Sequence, residues 1–265
     1  MRPSFLRARH AAVALLGCAA FVPAVFAQDT AHGDIGIGVV SRPEYIGSDR
    51  RQANAVPVLR VDLPTPYAYL GNRYGGNSLQ FGFTPLNTGG WVGGISLSYQ
   101  NIAPRKTSDD DYLRGLQDID RSVLGGFLLG YRFRPGGLVS LRSDTDLSGH
   151  GQGTTLTLAA QQVFPLSDRF AIVAGPRVVW GNRQHNTTYF GVDTAKTPQT
   201  TLPGYRAPAG FQEYSLNIGL RYATEGDWVL GGGISAGTLM ANVKDSPLVQ
   251  KESQVTVSLY AGWHF

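Results

Sequence analysis

The final twelve residues constrain the fold of this chain more than any other segment. In Gln254–Phe265, apolar side chains alternate strictly with polar or small ones, and the apolar set is Val255, Val257, Leu259, Ala261, Trp263 and Phe265. Successive side chains of a β-strand point to opposite faces, so the segment predicts a strand with one apolar and one polar face. It ends on an aromatic carboxy-terminal residue. This ending is typical of the strand that closes an outer-membrane β-barrel, and we expect Trp263 and Phe265 to form that closing terminus.

The first 27 residues have the pattern of a secretory signal peptide. Three arginines precede an apolar run at 11–21, and a small residue precedes the expected cleavage between Ala27 and Gln28. The apolar run is too short for a membrane-spanning helix. We therefore expect residues 1–27 to be removed on export and residues 28–265 to form the folded barrel.

Cys18, the single cysteine of the chain, lies inside this leader. Cleavage after Ala27 would leave a mature chain without disulfides or cysteine metal sites. The stretch 15–18, Leu-Leu-Gly-Cys, also resembles a lipobox, which would instead make Cys18 a lipidated first residue.

The signal contains three of the 23 basic residues and none of the 19 acidic ones, so the mature chain has 20 basic and 19 acidic residues. Such a balance does not predict a nucleic-acid partner.

Alternation recurs along the mature region and predicts about twelve strands. They lie at 34–41, 54–63, 67–70, 78–84, 91–100, 123–134, 138–147, 154–164, 169–181, 214–222, 228–240 and 254–265. Bacterial single-chain barrels have an even number of strands, with short periplasmic turns and longer external loops. The even-numbered connections are short and rich in turn residues, whereas the odd ones include long segments at 42–53, 101–122, 182–212 and 242–253. The sequence thus predicts an all-β, transmembrane, antiparallel up-and-down β-barrel.

A soluble periplasmic β-sandwich or lipocalin-like barrel is the alternative fold, because alternation alone does not say which face points inward. In the membrane version the charged residues of the polar face line the lumen. This predicted lining consists of Arg60, Asp62, Arg132, Arg134, Arg142, Asp144, Asp146, Arg177 and Arg221. Its mixed sign is compatible with ion-paired packing or with a polar pore, and the sequence leaves both open.

The sequence predicts no catalytic, metal or cofactor site. His150 and His185 fall on predicted loops, no Gly-x-Ser-x-Gly motif is present, and no histidine pair has metal-ligand spacing. The Asp109–Asp111 run lacks the spaced ligands of a calcium loop. The charged segment 101–122 is interpreted as a solvated external loop, with a constriction loop folded into the lumen as the alternative.

Four short motifs resemble the MltA-interacting protein / OmpV family of outer-membrane proteins. They are Tyr45-Ile-Gly-Ser-Asp49, the stretch from Leu113 to Asp120, Tyr189-Phe-Gly-Val192 and Asp245-Ser-Pro-Leu-Val249. The motifs occur in order across the mature chain, and the terminal Trp-His-Phe accompanies them. The resemblance implies an outer-membrane barrel surrounded by lipid, inserted by the barrel-assembly machinery.

For the namesake of the family, the resemblance also implies a scaffold that joins a lytic transglycosylase to a penicillin-binding protein. The predicted periplasmic turns are only a few residues long, whereas the four motifs lie on predicted external loops. Three hypotheses therefore stand: a non-enzymatic scaffold or envelope-organising protein, a pore for small polar solutes, and a surface-binding protein that acts through its external loops.

Overall fold

The computed structural model describes residues 31–65, 67–71, 78–108, 110–133 and 135–265. The predicted signal peptide, with Cys18, Ala27 and Gln28, and the predicted lumen residue Arg134 lie outside the described residues. The strands of the described part are β1 His32–Pro43, β2 Arg51–Asp62, β3 Ala68–Gly71, β4 Ser78–Thr88, β5 Trp91–Gln100, β6 Val123–Phe133, β7 Gly137–Asp146, β8 Thr154–Pro165, β9 Phe170–Gly181, β10 Gly210–Ala223, β11 Trp228–Leu239 and β12 Ser253–His264.

The twelve strands close into one antiparallel barrel in which each strand pairs with its neighbours in the chain. The first and last strands close the ring, from Asp34 opposite His264 to Ser41 opposite Val257. Beyond this ladder, Gly33 and Phe265 exchange two backbone hydrogen bonds of 3.0 Å. The closing strand thus removes the sheet edge, as β-barrels require. The predicted barrel and its strand number are confirmed.

The apolar face of the barrel points outward. Ile37, Ile95 and Leu259 have 64%, 63% and 67% of their surface exposed, and most strands contribute similar residues. A soluble sandwich or lipocalin-like barrel would bury these side chains, so that alternative is wrong. A continuous apolar band around the wall is stable only in contact with lipid.

Aromatic pairs mark the membrane interface near the short turns. The ring centroids of Trp91 and Tyr131 lie 5.2 Å apart, and those of Trp228 and Trp263 lie 5.5 Å apart, both edge to face. Tryptophan and tyrosine are enriched at both edges of the hydrocarbon layer because their rings are apolar and their tips polar. Since the short turns of such barrels face the periplasm, these rings mark the periplasmic boundary, and the end of the β1–β12 ladder next to Phe265 lies beside it.

The connections follow the predicted parity, with differences at their ends. The loop predicted at 42–53 spans only 44–50, because Arg42 pairs with Gln52 and Pro43 with Arg51 across the hairpin. Within the long loops, the chain forms a 3₁₀ turn at Asp111–Leu113 and two helices, α1 Arg183–Phe190 and α2 Ala241–Lys244. In the described part of the chain, no helix has the length and apolar character needed to cross a membrane.

Candidate functional site

Ion pairs join neighbouring side chains in the polar interior of the barrel. Arg142 and Asp144 of β7 lie 2.7 Å apart, with side chains only 13% and 15% exposed. Arg177 of β9 contacts Glu213 of β10 at 2.7 Å and donates to the Ser215 hydroxyl at 3.2 Å. Buried charges need such partners, since an unpaired one carries a large desolvation cost.

A second polar cluster lies beside the β1–β12 closure. The Asp34 side chain is only 5% exposed; it lies 3.1 Å from Arg221 Nη2 and 2.7 Å from His264 Nδ1. Arg221 belongs to β10, so this contact spans from β10 to β1 past the two intervening strands. Asp34 thus connects the first strand, the last strand and a more distant part of the wall at the periplasmic end of the lumen.

The other predicted lining residues lie near the ends of the strands. Arg60 is opposite Asp34 in the β1–β2 register and is exposed. Asp62 lies 3.7 Å from His32, and Arg132 donates to Asn87 Oδ1 at 2.6 Å, both near the periplasmic turns. Asp146 lies at the external end of β7, where its carboxylate accepts hydrogen bonds from the backbone of Ser148 and Gln152.

The opposite, external end is covered by a packed cap. We define the external cap as the described residues of the β1–β2, β5–β6, β9–β10 and β11–β12 connections, at 44–50, 101–122, 182–209 and 240–252. They form two apolar clusters. One contains Ile119, Tyr189, Phe190, Ala207 and Val243 with Leu239, and the other Tyr45, Leu113, Val192, Leu202 and Leu248. The interpretation of 101–122 as a solvated external loop holds for its charged residues, since Asp111 and Arg114 are exposed, but it missed the burial of Leu113 and Ile119 in the cap.

The geometry of the ring requires the cap to lie over the mouth. Three of its loops follow β1, β5 and β9, which are four strands apart in a ring of twelve. Loops rooted a third of the circumference apart can touch only by crossing the opening. They do touch: Arg50 Nη1 of the β1–β2 loop lies 3.4 Å from Asp110 Oδ1 of the β5–β6 loop, and Arg105 of the β5–β6 loop donates to the Tyr189 carbonyl of the β9–β10 loop at 3.3 Å.

The four motifs quoted above meet in this cap. Gly47, in the first motif, has a φ of 98°, and a Cβ there would lie 2.9 Å from Val249 in the fourth. Its carbonyl accepts hydrogen bonds from the backbone of Gln250 and Lys251 at 2.8 and 3.0 Å. A glycine is required because the backbone is left-handed and the neighbouring loop approaches closely.

Arg105 is the central polar residue of the cap. It is 6% exposed and donates to the carbonyl oxygens of Gln117, Thr188 and Tyr189 at 3.1–3.5 Å. Two of these carbonyls end α1, where the helix dipole places negative partial charge. Burial lowers the pKa of Arg105 to about 10. The guanidinium stays charged at neutral pH and holds two loops together.

His185 and Tyr189 form a buried pair on α1, a short helix within the connection where the sequence predicts a loop. Their rings stack at 4.2 Å. His185 Nδ1 lies 2.6 Å from the Gln152 carbonyl oxygen. A carbonyl oxygen accepts hydrogen bonds, so this ring nitrogen carries the hydrogen. The Tyr189 hydroxyl donates to Gln152 Oε1 at 2.8 Å. Burial lowers the pKa of His185 to about 4 and raises that of Tyr189 to about 12, so both rings are neutral at pH 7.

Ser122 and His150 are adjacent but lack the geometry of a nucleophile and its base. Ser122 is fully buried, and its Oγ lies 3.2 Å from His150 Nδ1. The same nitrogen lies 3.0 Å from the Arg121 carbonyl, so it carries a proton and has no lone pair to accept one from Ser122. The Ser122 hydroxyl bonds instead to Asp146. Among the described residues, no group of three His, Cys, Asp or Glu is arranged to hold a metal ion.

A cleft opens between the cap loops and the β7–β8 connection. It has a volume of about 950 Å³. Its charged lining residues are Arg105, Asp118, Arg183, Asp193, Lys196 and Arg206. No sequence pattern predicts this cleft, because its residues come from separate loops without periodicity.

Comparison with known proteins gives the family. The sequence model of the family described as MltA-interacting protein MipA matches residues 35–265. The MltA-interacting proteins of Escherichia coli (strain K12) and Shigella flexneri are each 25% identical over 146 residues, which is 55% of this chain. The match covers 58% of the length of each relative.

Solved barrels resemble this chain only distantly. The toluene transporter TodX of Pseudomonas putida is 10% identical, with 90% of each chain covered and a TM-score of 0.40. An outer-membrane channel from Pseudomonas putida F1 is 12% identical, covering 93% of this chain and 100% of the channel, with a TM-score of 0.43. Because the family match spans nearly the whole described barrel, this outer-membrane protein belongs to the MltA-interacting protein (MipA) family.

Proposed function

We propose that this protein is a non-enzymatic scaffold of the outer membrane that binds a lytic transglycosylase of the MltA type at its periplasmic end. The names of its Escherichia coli and Shigella flexneri relatives support the choice of partner. Through that enzyme, a penicillin-binding protein would join the assembly, as the family resemblance implies.

The observation that carries the proposal is the packed cap over the external mouth. A mouth crossed by loops with two apolar clusters favours a closed barrel over a transport route. The ion pairs Arg142–Asp144 and Arg177–Glu213 favour structural filling of the lumen in the same way. The protonated Nδ1 of His150 supports a role without catalysis.

The periplasmic rim provides a small surface for such a partner. Leu166, in the β8–β9 turn, is 61% exposed. Beside it, Arg169 pairs with Glu225 of the neighbouring β10–β11 turn at 2.9 Å. The exposed leucine offers apolar surface that a partner could bury, and arginine is among the residue types that often dominate the binding energy of an interface.

Binding to the purified partner tests the proposal. Full-length protein in nanodiscs should bind an MltA-type transglycosylase, and Leu166→Asp should weaken the complex about tenfold or more. Leu147→Asp is the matched control. Leu147 is 59% exposed in the external β7–β8 connection, so this substitution should leave the affinity for the periplasmic partner unchanged. Absence of binding by the unmodified protein would exclude the scaffold role.

A pore for small polar solutes is the second candidate. It is supported by a cavity of about 270 Å³ among the strands, lined in part by Asn217, Ser235, Thr256 and Ser258. These polar side chains would suit a hydrated solute. Conductance of the unmodified protein in planar bilayers decides this point, and a pore requires a reproducible open level.

A further inference from the structure

The external cleft has an excess of positive charge. Four basic residues and two acidic residues line it, which gives a net charge of +2. Lys196 and Asp193 form one exposed pair at 3.8 Å. Asp118 is engaged by Thr107, whose backbone N–H and hydroxyl both lie 2.7 Å from its carboxylate. The remaining positive charges belong to three arginines.

Two of these arginines have no carboxylate partner in the described part of the chain. Arg183 and Arg206 are exposed, and within the described ranges neither has a carboxylate oxygen within 4.0 Å. Arg105, which is buried behind them, donates to carbonyl oxygens, and the Asp118 carboxylate is close enough to interact with its charge. A guanidinium in a partly enclosed site attracts anions strongly, because its fixed donors match the geometry of phosphate oxygens.

The size and position of the cleft limit the anion. A volume of about 950 Å³ is large enough for a saccharide as well as its charged group. Tyr205 lines the same cleft and offers an aromatic ring with a polar tip. The cap lies on the external side of the membrane, where the phosphorylated sugars of the outer-leaflet glycolipid are found.

From this combination we propose that the external cleft binds a phosphorylated saccharide, with Arg183 and Arg206 contacting its phosphate. The phosphate group is shared by two sources, the headgroup of the membrane glycolipid and a free sugar phosphate. This site lies at the opposite end of the barrel from the periplasmic rim, so it does not depend on the proposed scaffold role.

Titration calorimetry on the full-length protein in nanodiscs tests this site with two pairs of probes. One pair is glucose 6-phosphate and glucose, and the other is lipopolysaccharide before and after phosphatase treatment. We expect heat of binding with at least one phosphorylated probe and affinity that falls with added salt, as for an exposed charge contact. Binding to lipopolysaccharide alone assigns the glycolipid as source, whereas comparable binding of glucose 6-phosphate assigns a free ligand.

The variant Arg183→Gln with Arg206→Gln should weaken this binding about tenfold or more, as expected for lost charge-assisted hydrogen bonds. Arg121→Gln is the control, because Arg121 is an exposed arginine of the same face that does not line the cleft. Unchanged affinity in the double variant, equal binding of the unphosphorylated probes, or no binding by the unmodified protein would each overturn the proposal.

Discussion

At the scale of single residues, the cap depends on polar groups that are buried and satisfied. Arg105 joins the β5–β6 loop to the end of α1, and His185 joins α1 to the β7–β8 connection through Gln152. Buried polar groups stabilise a structure only while their partners remain, because an orphaned donor or acceptor costs more than the bond contributed. These residues are therefore the points at which the cap can be weakened selectively.

Substituting Arg105 should loosen the cap without unfolding the barrel. Arg105→Met leaves the carbonyls of Gln117, Thr188 and Tyr189 without their donor, so limited proteolysis of the loops should accelerate about ten- to hundredfold. The heat resistance of the barrel on gels should stay unchanged. Arg114→Met is the control, since Arg114 is exposed and pairs with Asp111, which is also exposed. Equal cleavage rates in the two variants would contradict the role assigned to Arg105.

Acid should also loosen the cap, through His185. The pKa of His185 is about 4 in the folded protein, whereas an exposed histidine has a pKa of 6.5. Between pH 4 and pH 6.5, His185 therefore binds a proton more readily when the cap is unfolded than when it is folded. The stability that neutral His185 provides is complete above pH 6.5 and is lost as the pH falls towards 4, by up to roughly 3 kcal/mol. Tyr189, stacked on the ring, stays neutral throughout this range.

Hydrogen exchange of the α1 amides between pH 8 and 4.5, corrected for intrinsic rates, measures this effect. His185→Gln should remove most of the pH dependence in that window. His150→Gln should retain it, because His150 is exposed. A pH response that survives in His185→Gln would assign the sensitivity to another group.

At the scale of elements, each strand separates a lipid face from a lumen face. In β12, Leu259 is 67% exposed on the outer face, whereas the adjacent Ser258 borders the cavity of about 270 Å³ among the strands. The pairing register fixes this assignment, since a slip by one residue would exchange the faces.

Arginine substitutions at these neighbours should have unequal effects. Leu259→Arg places a charge in hydrocarbon and should destabilise the barrel by about 2–4 kcal/mol. Ser258→Arg places the same charge in the polar interior, where space is present, and should cost much less. Urea unfolding in lipid vesicles measures both, and similar losses would contradict the outward orientation of the apolar face.

At the scale of the whole molecule, the protein is a barrel whose external mouth is crossed by its own packed loops. Leu113 and Ile119, both in the β5–β6 loop, belong to different apolar clusters. This loop therefore joins the two halves of the cap, and shortening it should uncover the mouth.

Replacing residues 110–119 with a short Gly-Ser linker should raise the conductance of the barrel in planar bilayers. Binding of the periplasmic partner should be unchanged, because the altered loop lies at the opposite end. Lys196→Gln is the control for a change elsewhere on the cap surface. If the conductance stays at the level of the unmodified protein, the cap is not the barrier to ions. The side chains that fill the lumen would then be the barrier.

The sequence by itself determined the barrel. In β12 and in most other strands, apolar and polar residues alternate, and this alternation marks the two faces of a strand. It also placed the charges on the polar face and the short turns on one side. Tertiary structure alone decided which charges pair, since Asp34 and Arg221 belong to distant strands. Likewise, the cap core of residues such as Tyr45, Leu113 and Phe190 has no period. These side chains come from loops that meet only when the ring closes. They are far apart in the sequence, so no sequence pattern predicts their contact.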